Sequence, residues 1–303
     1  MKRSALSLLS GLWLVLLVAC GASAPDTGST QPSQSAATST AASATDPNMA
    51  GGAGRLNVFA AASLAEAFGE IGRRFDAASG AQTSFNFAGS QQLAQQIAQG
   101  APADVFASAN RVQMESVIAS GQVLSGTQRA FAHNRLVVVH PRDNPARITR
   151  LEDLARPGVK LVLAASAVPV GQYSLDFLSK ASALPQYTTA YSETVLRNVV
   201  SYEENVRAVL SKVVLGEADA GIVYSSDIAR DAAADVGWID IPDELNTIAS
   251  YPIATIADAP NAPLARKFVE YVLSPEAQQI LAEYGFISAV GCANACELSD
   301  DNG

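Results

Sequence analysis

The chain has 303 residues, is 49% hydrophobic, and carries a formal net charge of −9 from 29 acidic and 20 basic residues. That length accommodates two modest domains or one large one. The acidic balance, two units more negative if Lys2 and Arg3 leave with a signal segment, argues against nucleic acid and an anionic membrane surface as partners. Any anion bound here must be held by local donors and not by the overall field.

Residues 1–20 begin with Lys2 and Arg3 and continue into an apolar run over 12–18, too short to span a bilayer. The run ends in Leu17-Val18-Ala19-Cys20-Gly21, which resembles the lipobox of bacterial lipoproteins. On that reading Cys20 is the lipidated first residue of the mature protein, attached to the membrane without a spanning helix. An ordinary signal peptide with an incidental cysteine is the alternative. Residues 21–54 are Ser, Thr, Ala, Gln and Pro with almost no large apolar side chains, the composition of a disordered tether. The folded part is expected from Arg55.

A short apolar strand over 56–59 runs into Ala60-Ala61-Ala62-Ser63-Leu64, and a helix follows with Leu64, Ala67, Phe68, Ile71 and Phe75 on one face. A second strand, 83–87, leads through Ala88-Gly89-Ser90 into a helix with Leu93, Ala94 and Ile97 inward. A buried strand at 103–107 and a helix over 112–118 come next, then an apolar strand at 136–139. Thr149 with Glu152 has capping-box spacing for a short helix at 151–155. The strand at 160–164 leads to Ser166-Ala167-Val168-Pro169-Val170-Gly171, where another helix begins with Tyr173, Phe177 and Leu178 inward. Val199-Val200 leads to a turn over 201–206 and a helix through Val209, Leu210 and Val213. A strand over 221–224 ends in Ser225-Ser226-Asp227, a polar connection follows, and 251–256 is the last strand. Ser274-Pro275-Glu276 opens a final helix that Gly285 closes. Beyond it, Cys292 and Cys296 have a spacing that would close a very small disulfide loop, permitted by export. No histidine or further cysteine lies near enough in sequence to make them a metal site.

Strands alternating with helices predict an α/β protein of two lobes, each a mostly parallel sheet flanked by helices, with a ligand cleft between. Lobe I is expected over 55–132 plus 252–290, lobe II over 133–251, and a tail over 291–303. In such sheets ligands sit beyond the carboxyl ends of strands, where helices begin with unpaired N–H groups that attract anions. Ser63, Ser90, Val170 and the 201–206 turn all occupy that kind of position. Each also has a plain structural explanation. The serines can be helix N-caps, Tyr224 a core tyrosine with a satisfied hydroxyl, and Val206 a core valine. Asp104 reads as a brace for its neighbouring turn, Asp227 as a cap, and His133 and His140 as isolated residues with no cluster around them.

Taken together, several stretches resemble the periplasmic molybdate-binding proteins of ABC transporters. They are Val58-Phe59-Ala60-Ala61-Ala62-Ser63-Leu64, Phe87-Ala88-Gly89-Ser90 and Gln99-Gly100-Ala101-Pro102-Ala103-Asp104-Val105-Phe106. They continue with Asn134-Arg135-Leu136-Val137-Val138-Val139, Val168-Pro169-Val170-Gly171-Gln172-Tyr173, Glu204-Asn205-Val206-Arg207, Gly221-Ile222-Val223-Tyr224-Ser225-Ser226-Asp227 and Tyr251-Pro252-Ile253-Ala254. The resemblance implies a hinge-closing receptor of the type II periplasmic-binding-protein fold. It also implies an oxyanion held by Ser63 and Ser90 from lobe I and by the Val170 N–H, the Val206 N–H and the Tyr224 hydroxyl from lobe II. The implied ligand is molybdate or tungstate, passed to the permease and ATPase subunits of an importer by an exported, monomeric protein. Molybdenum enters as an oxyanion, so no cofactor and no direct cation ligand is implied. The chain departs from the commonest pattern at Val170, where a smaller residue is frequent, and at Gly89, where serine is common.

Donor-only chemistry suits such an ion. Molybdate and tungstate are unprotonated dianions at neutral pH, so hydroxyls and helix N-termini satisfy them without lysine or arginine. Phosphate brings a proton into a pocket of donors and leaves polar groups unpaired, while sulfate differs only in size. Two other readings share these residues: a receptor for sulfate or for ferric iron through Tyr191, Tyr202 and Tyr224, and an enzyme with Ser63 or Ser90 as nucleophile. Neither serine lies in a Gly-x-Ser-x-Gly elbow, and the chain has only two histidines to serve as base.

Overall fold

The computed structural model describes residues 54–228 and 234–290. Cys20 and its lipobox, the tether up to residue 53, and the Cys292 and Cys296 pair lie outside the described residues. In chain order the elements of the first half are β1 (Arg55–Ala61), α1 (Ala65–Ser79), β2 (Gln82–Ala88), α2 (Ser90–Ala98), β3 (Val105–Ala107), α3 (Arg111–Ala119), β4 (Arg129–Asn134), β5 (Leu136–Pro141) and β6 (Leu161–Ala164). Then come α4 (Pro169–Ser182), α5 (Tyr191–Arg197), β7 (Val199–Glu203), α6 (Val206–Val214), β8 (Ala220–Tyr224) and β9 (Val236–Asp240). The chain closes with β10 (Ala249–Thr255), α7 (Ala262–Val272), α8 (Pro275–Glu283) and β11 (Ile287–Ser288).

Two sheets result, ordered β11-β4-β10-β3-β1-β2 and β7-β6-β8-β5-β9. The first belongs to lobe I and the second to lobe II. β1 is covered on both faces: Leu56, Val58 and Ala60 share a core cluster with Ala67, Phe68, Ile71 and Phe75 of α1, and Phe59 joins Leu93 and Ile97 of α2 in a second. Asp104 braces distant segments and not its neighbouring turn. Its carboxylate accepts from the Asn57 N–H at 2.7 Å and from the Asn261 N–H at 2.6 Å, tying β1 to the start of α7.

Both sheets are mixed, where mostly parallel sheets are expected. β1 runs parallel to β2 and β3, and β6 to β7 and β8, but β10, β4 and β11 are antiparallel, as are β5 against β8 and β9. The cause is the double crossing between lobes. The chain leaves lobe I from β4 straight into β5 and returns from β9 to β10, so the entering strands β5 and β10 run against the βαβ direction while β4 and β9 run with it. Asn246 knits the two crossings together, accepting from the Leu136 N–H at 3.0 Å and donating to the carbonyls of Leu136 and Ile241.

Five elements escape the period-based reading: β4, β9, β11, α5 and α7. β4 and β9 carry polar residues on short edge or near-edge strands, and α7 hides behind the turn-like Asn261-Ala262-Pro263, which is in fact its N-terminus. At the short helix over 151–155 the cap partner is Asp153 and not Glu152. Its carboxylate accepts from the Thr149 N–H and hydroxyl and from the Arg150 N–H, which holds its pKa down against burial.

Candidate functional site

Ser63, Ser90, Val170, Val206 and Tyr224 all line one hollow at the carboxyl ends of the strands. Its cavity volume is about 10 Å³. That is room for about one water-sized sphere, far below the ~300 Å³ or more of sites built for larger ligands. Lobe I contributes the ends of β1 and β2, and lobe II the starts of α4 and α6 with the end of β8. No lysine or arginine lines it.

Each donor is set by local structure. α6 starts at Val206 because Asn205 is extended and its side chain accepts from the Ala208 N–H at 3.0 Å. The N–H of a first helical residue has no acceptor within its own helix, so that of Val206 is available to the hollow. At α4, Pro169 sits in the first turn and the helix closes with Gln172 N–H to the Val168 carbonyl at 3.0 Å, leaving the Val170 N–H outside the helical ladder. Gly171 allows this turn to press against the end of β6: a Cβ there would lie 2.1 Å from the Ala165 carbonyl oxygen.

The serines are not N-caps. Gly89 caps α2, and the Ser90 hydroxyl instead accepts from the Ala109 N–H at 3.0 Å. Ser63 lies in a single 3-10 turn over Ala62–Leu64, and its hydroxyl meets that of Tyr251 at 2.9 Å. Tyr224 is 1% exposed and its hydroxyl has no hydrogen-bond partner, a costly arrangement that a ligand accepting its proton would relieve. Burial, followed by the nearby Tyr251, raises its pKa well above the usual tyrosine value, so it stays a neutral donor. The Tyr251 hydroxyl is itself engaged by Ser63 and Asn134.

The lobes touch around the 204–207 turn. Arg207 pairs with Glu66 of α1 across the cleft and approaches Asp227 at 4.0 Å within lobe II. Gln91 donates to the Glu204 carbonyl at 2.9 Å and Gln92 to the Glu204 carboxylate at 3.1 Å. Gly89 makes that approach possible, since a Cβ would lie 2.6 Å from the Glu204 carbonyl oxygen. Asp227 accepts from the Tyr224 N–H at 2.9 Å, so it fastens the end of β8; residues 229–233, which a cap there would serve, lie outside the described residues. Burial raises its pKa to about 7 against the opposing pull of Arg207 and that N–H.

Tyr251, Asn134, Arg207 and Gly89 were within reach of the sequence as members of the resembling stretches, but nothing in their spacing marked their roles. The three tyrosines of the ferric reading do not converge. The Tyr191 hydroxyl donates to the Leu151 carbonyl, Tyr202 is 55% exposed on β7, and only Tyr224 lines the hollow. No histidine reaches the hollow to serve as a base for Ser63 or Ser90. Among the described residues no group of three or more His, Cys, Asp or Glu could hold a metal ion.

Two lobes around a small donor-lined hollow define a solute receptor, and the bacterial extracellular solute-binding protein family matches residues 56–287. The chain belongs to that family. It is 38% identical over 280 residues to the molybdate-binding protein ModA of Mycobacterium tuberculosis, covering 92% of this chain and 95% of that protein. It is 31% identical over 239 residues to ModA of Escherichia coli, covering 77% and 89%. Among solved structures, the Azotobacter vinelandii periplasmic molybdate-binding protein superposes with a TM-score of 0.66 at 21% identity, over 77% of this chain and 98% of that one.

Proposed function

We propose that this protein captures molybdate, or tungstate, outside the cytoplasm and delivers it to the permease and ATPase subunits of an ABC importer. The observation that carries this reading is the donor set of the hollow: two serine hydroxyls, two helix-start N–H groups and a buried, unpartnered tyrosine hydroxyl, with no cation among them. The 38% identity to a molybdate-binding protein over most of both chains supports it independently. Each charge-assisted bond contributes on the order of 1.5–3 kcal/mol, so five of them, less the cost of ordering the ion and closing the lobes, are consistent with sub-micromolar binding of about −8 kcal/mol or better. Binding is non-covalent and needs no cofactor. Cys20 is the proposed anchor, and loss of acyl labelling in Cys20→Ser would test it.

Isothermal titration of the folded part from residue 55 onward is the test. Molybdate and tungstate should bind in the sub-micromolar range, sulfate more weakly because only size separates it, and phosphate weakest because of its proton. No heat with molybdate or tungstate, or tighter binding of sulfate, would overturn the specificity.

A further inference from the structure

A dianion without protons can only accept, so Ser63 is useful to it only while its single proton points into the hollow. A serine hydroxyl can equally spend that proton on a neighbour. The atoms around Ser63 decide the direction. The Asn134 side-chain oxygen accepts from the Arg135 backbone N–H at 2.9 Å and from the Ser225 hydroxyl at 3.1 Å, and a backbone N–H can only donate. The amide orientation is therefore fixed, with the NH₂ group directed at the Ser226 hydroxyl, 2.7 Å away, and the Tyr251 hydroxyl, 3.4 Å away. Tyr251 thus accepts from Asn134. Its own proton goes to the Ser63 hydroxyl at 2.9 Å, because the neighbouring Tyr224 hydroxyl makes no hydrogen bond of acceptable geometry. Tyr251 and Asn134 are both fully buried, so water does not scramble the chain of bonds.

We infer that Tyr251, oriented by Asn134, is a positioning residue that holds Ser63 as a donor and so sets discrimination between unprotonated and protonated tetrahedral oxyanions. The inference rests on the site reading of Ser63 given above. The relay starts where the chain crosses from β4 to β5, and a bulge in β10 between Tyr251 and Pro252 sits at the tyrosine itself. Ser90 has an equivalent in simpler form: the Ala109 N–H donates to its oxygen and leaves its proton free.

The test compares affinities for molybdate and monohydrogen phosphate at pH 8, where both are dianions and only one carries a proton. Removing the phenol hydroxyl frees the Ser63 oxygen to accept. Tyr251→Phe should lower the molybdate-to-phosphate preference by about tenfold or more, the scale of one hydrogen bond to a charged group, while the unliganded protein still melts cooperatively. An unchanged preference in a cooperatively folded Tyr251→Phe overturns the inference. Should that variant fail to fold, Asn134→Asp carries the test, because a carboxylate accepts the tyrosine proton and reverses the relay. A lowered preference supports the inference and an unchanged one overturns it, since added charge repels both dianions alike. Ser63→Ala separates the two levels: unchanged molybdate affinity there removes the site reading itself, whereas a loss there with no effect at Tyr251 removes only the relay.

Discussion

The two halves of the hollow are built on different chemistry. Lobe I offers side-chain hydroxyls: the Ala109 N–H feeds Ser90, and on the relay inferred above Tyr251 feeds Ser63, so that each keeps its own proton for the hollow. Lobe II offers backbone N–H groups at the starts of α4 and α6, together with one phenol. The first half depends on residue identity and the second on where helices begin. That is why valines can stand at the lobe II contacts with their side chains packed in the core, and why a side-chain change there alters packing before it alters hydrogen bonding.

The sharpest way to break this comparison is to delete a donor from each side. Ser63→Ala or Ser90→Ala should weaken molybdate binding about 10- to 100-fold, the value of one charge-assisted bond. Val206→Pro should cost as much, because proline is tolerated at the first helical position, the preceding Asn205 is already extended, and only the N–H is lost. Val206→Ala, which keeps the N–H, should change affinity by less than about threefold. Titration of the four variants decides the matter. Equal losses from Val206→Ala and Val206→Pro would contradict a backbone role.

Next in size is the lobe contact. Gly89→Ala would place a methyl against the Glu204 carbonyl and the Gln91 amide. Small-angle scattering should then show a larger molybdate-saturated radius of gyration than wild type, with roughly tenfold weaker binding.

A smaller effect is expected in stability. The folded pKa of Asp227 is raised to about 7 from 3.8. Ionising this group is therefore unfavourable in the fold, a cost absent below the unfolded pKa and fully present above the folded one. Wild type should lose melting temperature relative to Asp227→Asn as pH rises from about 4 to 7, by up to about 10 °C at ~2–4 °C per kcal/mol and ~1.4 kcal/mol per pKa unit. A wild type that instead gains melting temperature relative to Asp227→Asn over that range would reverse the assignment. The smallest effect belongs to the Arg207–Glu66 pair, whose side chains are 35% and 44% exposed. Arg207→Gln should raise the dissociation rate no more than about fivefold, since such pairs contribute roughly 0–1 kcal/mol.

Much of this was legible in the sequence for a physical reason. Apolar runs ending in small residues and followed by helical spacing mark strand-to-helix turns, and those turns are where Ser63, Ser90, Val170 and Val206 lie. What was not legible depends on contacts between residues far apart in the chain. Tyr251 reaches Ser63 across 188 positions and Asn134 reaches Tyr251 across 117, so no local pattern joins them. The same holds for Glu66 with Arg207. The mixed direction of the sheets follows from the two lobe crossings, which leave no period in the sequence, and β4 and β9 are too short and polar to announce themselves.

The most direct measurement is anomalous diffraction at the molybdenum edge from crystals grown with molybdate. The account predicts one strong peak in the hollow, with oxygens about 3 Å or less from the Ser63, Ser90 and Tyr224 hydroxyls and the Val170 and Val206 nitrogens. A peak bound instead by lysine or arginine, or one that contacts a single lobe only, would contradict it.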